Sequence, residues 1–177
     1  MITNIGSCGK QKLLNIFNKS WSIGRLPKDW KRATVIPIRK VNKPAGSPDS
    51  YHPVALTNII CKVLEKLVLN RINFHLESNN LLSAEQYGFR KGHCTQNQIL
   101  FFTQQVKDAQ NKKPTNHTIA ILLDLTKAFD RVWRYKLITK LYDRFAIDGK
   151  ALLWIYDFLR NRVFNVKYNG SLSSSFR

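Results

Sequence analysis

Acid is what this 177-residue chain has least of: 11 aspartates and glutamates stand against 29 lysines and arginines, a formal net charge of +18. A surplus of that size argues against a basic surface with no partner, because uncompensated self-repulsion destabilises a compact state. It points instead to a polyanion, whose phosphates release condensed counterions when they are neutralised. Nucleic acid meets that requirement better than an anionic membrane surface. Long apolar runs are missing as well. No uninterrupted stretch approaches the roughly 20 residues of a spanning helix, and residues 1–12 are polar where a secretory signal is apolar. Cysteine is sparse: Cys8, Cys61 and Cys94 are scattered and odd in number. That excludes a closed disulfide framework and suits reduced thiols in an intracellular protein of the cytoplasm and nucleus. His52, His75, His93 and His117 show no zinc-ligand spacing with them, and the neighbours His93 and Cys94 serve more simply as surface or core residues.

What is present suffices for a core, since 44% hydrophobic and 11% aromatic residues set the chain apart from disordered compositions. There is no internal repeat and no low-complexity tract. Leu13, Leu14, Ile16 and Phe17 have helical spacing and predict a helix over residues 10–20, broken by Gly24, Arg25, Leu26 and Pro27. The β-branched run at 34–39 predicts a strand, with Pro37 placing it at an edge or a bulge. Pro44, Gly46 and Pro48 make 42–50 a loop. Ile59, Ile60, Val63, Leu64, Leu67, Val68 and Ile72 form the clearest helical stripe, with Thr57 or Asn58 as N-cap. A further helix covers 96–110, and 111–116 is a polar loop. Residues 117–123 read as a buried strand, followed by helices at 135–145 and 150–160. A strand at 162–168 then meets Asn169-Gly170, a hairpin turn signal. The fold class is α+β.

The predicted strand at 117–123 delivers Asp124 at its end. A rigid strand suits a carboxylate that must hold Mg²⁺, which takes one or two such ligands together with substrate phosphates. The same aspartate equally serves as a helix N-cap or a structural acid, and spacing does not separate the two.

Asp124 with Ala128, Phe129, Asp130, Val132 and Trp133 resembles the first catalytic motif of non-LTR retrotransposon reverse transcriptases, in a jockey-like form. The pattern extends both ways. Leu26-Pro27 with Trp30-Lys31 resembles the family's entry to the fingers. Val35, Ile36, Pro37 and Ile38 with Lys40, Lys43 and Pro44 resemble the first fingers strand and its basic loop. Tyr51, His52, Pro53, Val54, Ala55, Leu56 and Thr57, then Lys62, Glu65, Arg71 and Ile72, resemble the segment that follows. Gln86, Tyr87, Gly88, Phe89 and Arg90, then Gly92, Thr95 and Gln98, resemble the next. The resemblance runs from about residue 14 to 173.

It implies a right-hand fold, with fingers at residues 1–114 and the first, incomplete part of the palm at 115–177. It also implies RNA-templated addition of dNTPs to the 3′-OH of a DNA primer. Asp124 is then the catalytic Mg²⁺ (or Mn²⁺) ligand, joined by the Leu125 carbonyl. Phe129 lies under the incoming sugar and clashes with a 2′-hydroxyl, or else packs in the core; Asp130 has a structural or orienting role. Lys40 and Lys43 reach the triphosphate or are solvated loop charges. Arg90 touches the template backbone or is a surface arginine, and the basic cluster Lys31, Arg32 and Arg39 adds contacts to nucleic acid. His52 departs from the pattern, because the family usually has arginine there. Histidine offers fewer donors than a bidentate guanidinium and is partly charged at neutral pH, so the expectation is weaker nucleotide binding or a copy drifting from function. Cys94 stands where the family often has serine.

Two-metal polymerisation needs carboxylates from two places. The family supplies the second set as an adjacent aspartate pair after a glycine-rich motif, and this sequence contains no such pair. Asp143, Asp148 and Asp157 fall in predicted helices or their connections. The expectation is therefore a fragment ahead of the catalytic hairpin, inactive alone. A non-catalytic basic RNA-binding module and a relic of a mobile element are the competing readings.

Overall fold

The computed structural model describes residues 4–112, 114 and 116–177. Among them are the helices α1 (Ser7–Ile23), α2 (Ile59–Ser78), α3 (Thr95–Gln110), α4 (Arg134–Asp143) and α5 (Gly149–Phe158), and the strands β1 (Arg32–Arg39), β2 (Tyr51–Thr57), β3 (Val163–Tyr168) and β4 (Ser171–Leu172). Two compact units divide the chain, residues 1–75 with 133–177, and residues 76–132.

In the larger unit α1 continues a turn beyond its predicted stripe and ends at Gly24, whose φ of 62° closes the helix. A Cβ at Gly24 would stand 2.9 Å from that of Leu153. Conformation and close approach therefore both require glycine here. Asn58 is the cap of α2: its Oδ1 accepts from the N–H of Ile60 at 2.9 Å and of Cys61 at 3.2 Å. The helical stripes converge on Phe17, Leu26, Trp30, Cys61, Leu64, Val68 and Trp154. Phe17 meets Trp30 edge to face at 6.1 Å, and Trp154 stacks on Phe158 at 5.5 Å. The buried polar groups are paired, as a low-dielectric core demands. The Trp154 indole N–H donates to Ser20 Oγ at 3.2 Å, and that hydroxyl donates to the Arg25 carbonyl at 2.7 Å.

The sheet runs β2-β1-β3-β4. β1 is antiparallel to β2 from Ala33↔Thr57 to Arg39↔Tyr51, and parallel to β3 from Arg32↔Val163 to Val35↔Val166. The expectation of an edge strand around Pro37 is thus corrected for most of β1, which lies inside the sheet. Its parallel ladder stops at Val35, however, so the missing N–H of Pro37 faces no partner in β3. On the other side Pro37 opposes Pro53; neither can donate, and the pair occupies a position where no donor is needed. β2 itself went unpredicted, because Pro53 interrupts a run without apolar alternation. β3 and β4 meet across Asn169 and Gly170, whose φ values of 47° and 81° are those of a two-residue I′ turn.

In the smaller unit α3 matches its prediction within a residue. Tyr87 lies 5.2 Å from His93 and 6.3 Å from Phe101, ring to ring. The predicted buried strand at 117–123 is overturned: residues 116–125 have no regular secondary structure and are exposed, with Ile121 at 79% and Leu122 at 93%. A strand persists only where another takes up its backbone hydrogen bonds, and among the described residues no strand lies beside this segment.

Candidate nucleotide and nucleic-acid site

Asp124 closes that extended apolar segment and precedes a turn over residues 126–131. The turn is built on Lys127, whose φ is 54° and whose carbonyl accepts from the N–H of Asp130 at 3.0 Å and of Arg131 at 3.2 Å. Asp124 is exposed rather than at the end of a buried strand, and its carboxylate makes no hydrogen bond or ion pair among the described residues. An oxygen donor without a competing partner is suited to coordination. The turn also answers the N-cap alternative, since no helix starts at Asp124. No three His, Cys, Asp or Glu side chains converge as metal ligands among the described residues. Asp124, with the Leu125 carbonyl beside it in the chain, therefore stands outside any such cluster.

Phe129, on the same turn, is 81% exposed, so it is not a core residue here. Its ring meets that of Phe89 edge to face at 6.2 Å. Phe89 has a φ of 60°, a left-handed conformation that is costly for a bulky side chain. Sequence reasoning missed this pair, although both residues stood inside quoted motifs; nothing in their spacing, 40 positions apart, announces the contact. Arg90 follows Phe89 and forms a fork on Glu77, Nε to Oε1 at 3.0 Å and Nη2 to Oε2 at 3.1 Å, while Nη1 donates to the Ser83 carbonyl at 2.9 Å. The hydrogen bond from Arg90 holds the Glu77 carboxyl below the usual carboxylate range, and the same bond raises the Arg90 guanidinium. Arg90 thus braces residues 77–90, and three of its nitrogens are engaged in doing so.

The other basic candidates belong to the larger unit. Arg39, at the end of β1, pairs in register with Tyr51, and His52 pairs with Ile38. Successive side chains of a strand alternate faces, so Arg39 and His52 stand on opposite faces of the hairpin. Both are exposed, as are Arg32, Lys40 and Lys43. Lys40 is anchored in its loop, its Nζ donating to the Asp49 carbonyl at 2.8 Å and its backbone N–H to the Ser50 carbonyl at 2.8 Å. Lys31 is a correction to the sequence reading. It is buried at 9% exposure, and its Nζ lies 2.7 Å from Asp157 Oδ1. The other Asp157 oxygen accepts from the Leu26 N–H at 2.8 Å. A charge buried in that way is kept by its partner and is not offered to phosphate.

The family described as Reverse transcriptase (RNA-dependent DNA polymerase) matches residues 38–177. The chain is 35% identical over 158 residues, 89% of its length, to the probable RNA-directed DNA polymerase from transposon BS of Drosophila melanogaster. It is 34% identical over 93% of its length to the RNA-directed DNA polymerase from mobile element jockey of the same fly. It is 33% identical over 90% of its length to the probable RNA-directed DNA polymerase from transposon X-element. The matches span 17% of the transposon BS and X-element proteins and 18% of the jockey protein.

Proposed function

This chain belongs to the reverse transcriptase (RNA-dependent DNA polymerase) family, on the side of the non-LTR transposon enzymes, and we propose that it is the nucleotide-receiving part of such a polymerase. In this reading the whole enzyme adds dNTPs to a DNA primer on an RNA template, inside the cell. Residues 1–114 act as fingers and 115–177 as the start of the palm. The observation that carries the proposal is Asp124 with Phe129: an unpaired carboxylate and an exposed ring five residues apart, within the family match.

Asp124 and the Leu125 carbonyl would hold one side of a divalent ion, Mg²⁺ or Mn²⁺, which would supply stabilisation of charge on the attacking and leaving oxygens. Phe129 and Phe89 make an aromatic corner against which the sugar rests. A 2′-hydroxyl meets the Phe129 ring, so ribonucleotides are rejected by steric conflict. Lys40, Lys43 and His52 are the basic groups that the family resemblance assigns to the triphosphate, His52 as the weaker stand-in for a guanidinium. Arg32 and Arg39 neutralise template or primer phosphates. Arg90 acts mainly as a brace and reaches the template only with its uncommitted donors.

Joined to the rest of a relative's polymerase domain, the Phe129→Ala variant should incorporate ribonucleotides at least tenfold more readily than the parent. Unchanged sugar discrimination removes Phe129 from the site.

A further inference from the structure

A hollow outside these residues lies at the far end of β1, on the face of the sheet that carries Arg39. Pro37, Val166, Tyr51 and Tyr168 floor it, and Gly46 and Pro48 of the β1–β2 loop wall it, around a cavity of about 330 Å³. That volume falls at the lower end of small-ligand sites, roughly 300–1,000 Å³. β1 ends its ladder with β3 before Pro37. Tyr51 from β2 and Tyr168 from β3 therefore meet across it, with hydroxyls 3.2 Å apart and rings edge to face at 5.9 Å. In that geometry the edge of one ring covers a face of the other and leaves further ring faces open; Tyr168 is 47% exposed. The lining contains no carboxylate. Arg39 is the register partner of Tyr51 and stands on the same face of the sheet. Lys40 and Lys43 lie on the loop that closes the hollow.

We propose that the Tyr51–Tyr168 hollow is a stacking platform for one unpaired nucleobase of a single-stranded RNA or DNA segment, with Arg39 receiving the adjoining phosphate. The inference rests on the reading above that nucleic acid is the partner of this chain. An open aromatic face beside a cation takes a base of any identity, because every base offers a π-face. A duplex offers no such face in its interior. The hollow therefore selects strandedness and not sequence.

The experiment uses the intact chain and a fluorescent 12-nucleotide uridine RNA, with a duplex of equal length and an abasic strand as companions. Tyr168→Leu should weaken the single strand roughly 5- to 150-fold, the effect of one lost stacked base. Duplex and abasic affinities should stay within about twofold, and Tyr168→Phe, which keeps the ring, should bind like the parent. Equal loss for all three ligands, or no loss for the single strand, overturns the platform while leaving nucleic-acid binding intact. Absence of binding by the parent to any of the three overturns the underlying reading as well. Uridine monophosphate competing as well as the strand contradicts the assignment to a strand, and displacement by a proline-rich peptide, the other ligand of aromatic hollows, assigns the hollow to protein. Should Tyr168→Leu fail to fold, photocrosslinking of 4-thiouridine RNA to the unchanged chain decides. Adducts in residues 45–51 or 163–168 are expected, and adducts only elsewhere refute the platform.

Discussion

Asp157 shows how far a single residue's role depends on the fold around it. In sequence it is one more acid in a predicted helix; in the structure its two oxygens tie Leu26 and Lys31 to α5. Removing one partner of a largely buried pair strands the other, so Asp157→Ala should cost about 3 kcal/mol in chemical denaturation. A cost under about 0.5 kcal/mol would show that the pair is not held in solution. Cys61 yields a second expectation. Burial first, then the hydrogen bond to Glu65 and its charge, push the thiol up to about 12. Folding thus favours the protonated form, a contribution complete below pH 9.0, the thiol's ordinary value, and lost as pH rises toward 12. A disulfide reagent at pH 8 should titrate the exposed Cys8 and Cys94 at once, and Cys61 only after denaturation; three immediate equivalents contradict the buried site. Gly24 as terminator was legible, and the cap was narrowed to Thr57 or Asn58, because each has a local mechanism; the structure selects Asn58. Lys31 was not: burial depends on an aspartate 126 positions away in the chain, which no local pattern encodes.

At the scale of elements, helices and the final hairpin were legible because their periods and turn residues are local. The I′ turn predicts that Gly170→Ala, which retains the left-handed φ of 81° at a steric cost, loses about 1 kcal/mol. A change in the thermal midpoint near zero means the turn has another geometry. The parallel pairing of β1 with β3 lay outside any window, and β2 was hidden by Pro53. The segment 117–123 was legible as strand-forming and still is not a strand, since composition states a preference while pairing requires a neighbour. The Glu77–Arg90 fork provides an element-scale test with a defined sign. The depressed Glu77 pKa makes the brace fully present above the ordinary carboxylate range and lost as pH falls through the folded-state value. Protection factors of residues 83–90, with exchange corrected for its intrinsic pH dependence, should therefore fall on acidification below that range and stay level from pH 6 to 8. An identical profile in Glu77→Gln refutes the carboxylate as cause.

For the whole molecule, the charge of +18 and the order of the motifs were legible without coordinates, and they carried the family reading that the comparisons support. The charge predicts that affinity for RNA falls log-linearly and steeply with salt, by about tenfold or more between 50 and 200 mM; a flat titration contradicts nucleic acid as the partner. What the sequence left open is how one carboxylate serves a chemistry that needs several. The most direct measurement of the central claim is primer extension on an RNA template, with this chain joined to the remaining polymerase residues of a relative and Asp124 changed to asparagine. Loss of extension by a factor of about 10³ or more, with RNA affinity unchanged, is the predicted result. Extension at the parent's rate in the Asp124→Asn enzyme would contradict the assignment of Asp124 to the metal, and with it the polymerase reading of this site.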